Sequence, residues 1–76
     1  MYEYICKVVL DNQEDEIKTF AYSTLEAFDN LVSMIEVTDI ISVVNKETDE
    51  SFTFDGDLMA LRKARGNIKD EHLIIE

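Results

Sequence analysis

Proline and tryptophan are absent from this chain of 76 residues, cysteine and histidine occur once each, and glycine occurs twice. Each scarcity removes a class of function. A single cysteine forms neither a disulfide framework nor a cysteine-based zinc site. Cys6 is the only thiol and His72 the only imidazole, so a nucleophile and its base have to be drawn from these two or from carboxylates, and no Ser-His-Asp set is visible. Gly56 and Gly66 stand in neither a Walker loop nor a dinucleotide-binding turn, which argues against nucleotide binding by those modes. Long apolar runs are missing too, and nothing approaches the roughly 20 residues that a membrane span needs. Met1 leads straight into Tyr2-Glu3-Tyr4 without the basic region and cleavage site of a signal peptide, so the chain is expected to stay in a reducing cytoplasm.

Positive charge is also scarce. Seven basic side chains against seventeen acidic ones give a net charge of −10, which repels a phosphate backbone and excludes direct nucleic-acid binding by counterion release. What the chain does have is apolar material, 46% of its residues, enough for a packed core and too much for global disorder. At this length it is one domain, burying about 60% of the surface its unfolded form exposes.

Tyr2, Tyr4, Cys6, Val8 and Leu10 alternate at period two and predict a first strand, with Ile5 and Val9 on its other face. The polar break 11–15 predicts a loop of about five residues, and Glu16 to Tyr22 completes a hairpin. Ser23-Thr24-Leu25-Glu26 matches a capping box. The spacing of Leu25, Phe28, Leu31, Val32 and Ile35 then makes one apolar stripe on a helix ending near Glu36. Ile40 to Val44 is β-branched and apolar on both sides, as in a central strand, and after the turn Asn45 to Glu50 the alternation of Phe52 and Phe54 predicts another. Leu58 to Arg65 favours a short second helix capped by Gly66-Asn67, and His72 to Ile75 a last strand. The order β-β-α-β-β-α-β implies an α+β fold, a mostly antiparallel sheet with one amphipathic helix on a face. Phe28, Leu31, Ile35, Ile41, Val43 and Phe54 are the expected core. Ile5, Val9 and part of the Ile40 to Val44 run then need cover on the far face, from the second helix or from a partner.

The residues offer little chemistry. Cys6 on an apolar strand face reads as an inert small hydrophobe, and His72 beside Asp70-Glu71 as an exposed or salt-bridged side chain. An EF-hand beginning at Asp11 would need glycine and glutamate where the chain has Glu16 and Tyr22, so no metal and no cofactor is expected. The chain is read as non-enzymatic.

Binding is the remaining class, and three surfaces are candidates. Acidic residues gather in the first turn (Asp11, Glu14, Asp15, Glu16), on the helix flank (Glu26, Asp29, Glu36) and in the second turn with the break after it (Glu47, Asp49, Glu50, Asp55, Asp57). Tyr2, Tyr4 and Phe20 are candidate apolar anchors. Arg62, Lys63, Arg65 and Lys69 form a candidate basic patch, because residues 62–76 balance to +1 while residues 1–61 balance to −11. The first reading is a small acidic protein-interaction domain that binds another protein or itself, a homodimer being the simplest closure. The second is an acidic inhibitor that imitates nucleic acid and occupies a basic groove, of the kind carried by phages and mobile elements, a likeness of size and charge that no motif carries. Solubility alone also accounts for much of the acidity.

Overall fold

The computed structural model describes residues 1–76 as five strands and two helices. Strand β1 (Tyr2–Leu10) buries Tyr4, Cys6 and Val8 on one side, and the alternation turns Glu3, Ile5, Lys7 and Val9 to the other. It pairs with β2 (Gln13–Ala21) from Tyr2 opposite Ala21 to Leu10 opposite Gln13. The connection is therefore two residues, not the five expected. Asp11 and Asn12 have φ of 50° and 64°, the signature of a type I′ turn, whose twist matches the strands it joins. Asp and Asn reach this left-handed region at lower cost than other side chains. Glu14, Asp15 and Glu16 are thus strand residues, and their charge suits an edge strand because it discourages pairing with another sheet.

Helix α1 (Thr24–Ser33) starts where the capping box places it, with the Ser23 hydroxyl accepting from the Glu26 amide at 3.2 Å. Ala27, Phe28 and Leu31 are fully buried against the sheet. At about 1.5–3 kcal/mol for a wholly buried large apolar side chain, Phe28 and Leu31 anchor this layer. The helix stops short of Glu36. Met34 leaves the helical region (φ −86°, ψ 96°), and Ile35 is 81% exposed instead of joining the core.

Strand β3 (Val37–Asn45) lies on the other side of β1, so α1 is the crossover between two parallel strands separated by a third. With β4 (Ser51–Phe54) and β5 (Leu73–Ile75) the sheet order is β2-β1-β3-β4-β5, and every neighbouring pair is antiparallel. Val37, Ile40 and Val43 are the inward residues of β3, at intervals of three where a regular strand allows two. Two bulges against β1 explain the interval: the register slips between Lys7 and Val8 and again between Val9 and Leu10, leaving Ile41 and Thr38 as extra residues. Local bonds satisfy the interrupted ladder, since Asp39 Oδ1 accepts from the Ile40 amide at 2.9 Å and Thr38 Oγ1 donates to the Val9 carbonyl at 3.3 Å. Ile41 is half-buried and turned away from the helices, which corrects its place in the expected core. Phe54 is half-buried as well, between Phe28 and His72 at ring separations of 6.2 and 5.7 Å.

Helix α2 (Leu58–Lys63) is capped by Asp57, which accepts from the Ala60 amide at 3.1 Å. It ends before the expected Arg65, and Arg65 itself, not Gly66 or Asn67, takes the left-handed conformation with φ 55°. The amides of Arg65 and Gly66 return to the carbonyls of Arg62 and Leu61 at 3.0 and 2.9 Å, the paired bonds of a Schellman ending. Leu58 and Ile68 belong to the same apolar core as Tyr4, Cys6, Phe28 and Leu31. Both helices consequently pack on one side of the sheet, and the second helix does not cover the far face.

Candidate functional site

The uncovered face is built in rows across the strands. Phe20 on β2 stands opposite Glu3 on β1; next come Lys18, Ile5, Val44 and Ser51, then Glu16, Lys7 and Ser42, then Glu14, Val9 and Asp39. Ile41 adds to this side through its bulge, and Ile74 through its pairing with Thr53. Phe20 is 55% exposed and Ile74 45%, while Ile5, Val9, Ile41 and Val44 are half-buried by their neighbours alone. Aliphatic and aromatic groups are therefore interleaved with two lysines and four carboxylates. The one ion pair of the molecule lies at the rim, Lys46 Nζ to Glu3 Oε2 at 3.0 Å. The Lys46 ammonium holds the Glu3 carboxyl below its ordinary range, and Lys18 adds to the pull. Such a surface can bind by apolar contact while its charges fix orientation.

The apolar anchors expected from sequence do not form one patch. Tyr4 is 1% exposed and belongs to the core, its hydroxyl 3.3 Å from Thr24 Oγ1 and 3.4 Å from Asn45 Nδ2. Tyr2 shares the parity of Tyr4 and packs edge-on against its ring, whereas Phe20 faces the other side. The mistake was physical: alternation identifies two faces of a strand but not which one the helices take. Ile5, Val44 and Ile41, the residues that line the bare face with Phe20, were signalled only by the two-sided apolarity of β1 and β3.

The basic patch also loses a member. Arg62 reaches across to the end of α1 and donates to four carbonyls: Nε to Val32 at 3.1 Å, Nη1 to Val37 at 2.5 Å, and Nη2 to Leu31 at 3.3 Å and Met34 at 2.7 Å. Helix α1 has neither a glycine nor a basic residue in its last turn, so a guanidinium from elsewhere takes the Val32 carbonyl. It adds a second donor to the carbonyls of Leu31 and Met34, which already accept from the amides of Met34 and Val37, while its bond to Val37 reaches the start of β3. Lys63, Arg65 and Lys69 remain exposed.

The carboxylates divide between the ends of the sheet. Asp11, Glu14, Asp15 and Glu16 occupy the β1–β2 end, with Glu14 and Glu16 on the bare face and Asp15 on the helix side. Glu47, Asp49 and Glu50 occupy the β3–β4 turn at the other end of β1, about 26 Å away by strand rise. That turn is held by Asn45, 5% exposed, whose Oδ1 accepts from the amides of Glu47 and Thr48 at 2.9 and 3.3 Å. Glu26 and Asp29 sit on α1, and Asp55 and Asp57 lead into α2, where Asp57 serves as its cap. No three His, Cys, Asp or Glu side chains are grouped to hold a metal ion.

Cys6 and His72 have structural surroundings. Cys6 is wholly buried, and desolvation pushes its thiol up to about 11, so the nucleophilic thiolate is suppressed. His72 Nδ1 accepts from the Lys69 amide at 3.0 Å and closes the short turn before β5. No helix is long and apolar enough to cross a membrane. Searched against protein-family models, curated proteins and solved structures, the chain matches none of them.

Proposed function

We propose that this chain is a non-enzymatic protein-interaction domain, working in the cytoplasm, that binds another protein or a second copy of itself through the bare face of its sheet. The observation that carries the reading is the placement of both helices on one side, which leaves Phe20, Ile5, Val44, Ile41 and Ile74 in or near solvent on the other. A homodimer is the simplest closure. About a two-fold axis the same rows meet, so that Lys7 and Lys18 of one copy can lie against Glu14 and Glu16 of the other. Nucleic acid is not the partner on this reading, because the charge has the wrong sign.

Imitation of nucleic acid is the weaker reading. A phosphate mimic needs carboxylates in continuous rows, and here the acidic turns are separated by a face that carries Lys7 and Lys18. Sedimentation at tens of micromolar tests the proposal, with Phe20→Glu beside the parent. A dimer of the 8.8 kDa chain that dissociates in the variant is the expected result. A parent that is monomeric throughout removes self-association. Binding to an identified partner that Asp49→Lys with Glu50→Lys abolishes, and Phe20→Glu leaves intact, transfers the function to the acidic turns.

A further inference from the structure

On the helical side a groove of about 720 Å³ runs between the end of α1 and the start of α2. Val32 and Ile35 form one wall, Met59 and Ala60 the other, and Lys63 and Arg62 close its end. Ile35 is 81% exposed and Met59 54%. Neither is needed by the core. Ile35 lies beyond the helix stop, and Met59 sits one place along α2 from the buried Leu58.

The groove is held open in advance. Arg62 bonds α2 to the end of α1 by its contacts with the Leu31, Val32 and Met34 carbonyls, so an occupant does not have to order either element on arrival. Those contacts use the guanidinium, whereas Lys63 forms no ion pair, since Lys46 with Glu3 is the only one in the molecule. Arg65 stands two residues further on. On a strongly acidic chain, exposed aliphatic side chains here adjoin cations that no carboxylate pairs.

We propose that the α1–α2 groove is a second docking site, and that its occupant is an acidic amphipathic peptide segment of a different protein, with an aliphatic anchor between Ile35 and Met59 and a carboxylate on Lys63. Charge complementarity selects this occupant over the others. Two copies meeting groove to groove would bring like cations together, and neither acidic turn of a second copy, 11–16 or 45–50, contains an aliphatic side chain to fill the groove. The groove lies on the helical side of the sheet and stands whether or not the bare face binds anything.

The test is an NMR titration of the isotope-labelled full chain with a synthetic peptide of about 14 residues, leucine at i, i+3, i+4 and i+7 and glutamate elsewhere, and with its lysine-for-glutamate counterpart. Saturable amide shifts centred on residues 32–35 and 59–63 are expected for the acidic peptide. Lys63→Glu and Met59→Glu, both at exposed positions, should each weaken it about tenfold, and Phe20→Glu should leave it unchanged. Equal affinity for the lysine peptide overturns the proposal. So does an absence of saturable shifts up to about 1 mM, or their appearance on the strands instead. Loss in Phe20→Glu alone would place the peptide on the sheet face and refute the groove.

Discussion

Replacing Arg62 by methionine keeps an unbranched stem and deletes three bonds to the end of α1 and one to the start of β3. The cost follows from where the freed carbonyls lie. Leu31 and Val37 are wholly buried, but the Leu31 carbonyl keeps the Met34 amide at 3.0 Å, so the Val37 carbonyl is the one that stands to be left dry, at about 1–3 kcal/mol. Val32 and Met34 are only half-buried and their carbonyls regain water. Losing a cation at the helix C-terminus adds about 0.3–1 kcal/mol. The expected destabilisation is about 2–3 kcal/mol, against a total stability of roughly 4–11 kcal/mol for a domain of this length. At about 4–8 °C for each kcal/mol, thermal unfolding followed by circular dichroism should shift downward by about 8 °C or more. Arg62→Lys keeps the charge but lacks the planar fork, and should fall between the two. If Arg62→Met melted within about 2 °C of the parent, the α1 carbonyls would be hydrated without it and the capping argument would fail.

Arg65→Gly relieves a non-glycine side chain of the left-handed conformation and should raise the melting temperature by an amount equivalent to about 1 kcal/mol; a decrease would place the Arg65 side chain in a contact of its own. Leu31→Ala should cost about 2–5 kcal/mol while Ile35→Ala stays within about 0.5 kcal/mol, and comparable losses would return Ile35 to the core. The Cys6 thiol should resist Ellman's reagent at pH 8 and react at once in guanidinium. Because its folded pKa lies above the unfolded value, the stability it adds is complete below about 9 and disappears as pH rises toward 11, a decline that Cys6→Val should reduce. With a single ion pair against a net charge of −10, raising sodium chloride to a few tenths molar should raise the melting temperature, and a fall would indicate that Lys46–Glu3 outweighs the general repulsion.

Much of the fold was legible because it rests on local signals. The Ser23 cap, the Phe28 and Leu31 stripe and the alternation of β1 each depend on residues close in sequence, and all three appear where those residues place them. The failures have two causes. Each concerns a group whose partner is distant in sequence or whose conformation departs from the usual residue preference. Helix α1 stops early where Arg62, about thirty residues later, takes its carbonyls. The first hairpin is tight although Asp11-Asn12 contains no glycine, and Arg65 turns left-handed beside a glycine that does not. Gly66 has a different task there, since a Cβ would lie 2.9 Å from Leu61 Cδ1. For the candidate site, sequence supplied the two-sided apolarity of β1 and β3 but could not say that α2 would join α1, and so it chose Tyr4, on the wrong side.

The bulges of β3 connect that fold to the proposed binding. A regular strand with Val43 inside would also turn Ile41 inward and Ile40 outward. The extra residue at Ile41 reverses the parity, burying Ile40 under the helices and giving Ile41 to the bare face beside Val44 and Ile5. A strand apolar on both sides is thereby divided into a core row and a surface row. The edges are treated differently. Strand β2 ends the sheet with Glu14, Asp15, Glu16 and Lys18, which oppose pairing with another sheet. Those acids oppose extension at this edge independently of any basic partner, whereas the other edge, β5, is Leu73-Ile74-Ile75 and carries no charge. The face is unguarded as well, and in an acidic molecule its Lys7 and Lys18 supply the local positive charge that a partner's carboxylates, or those of a second copy, can meet.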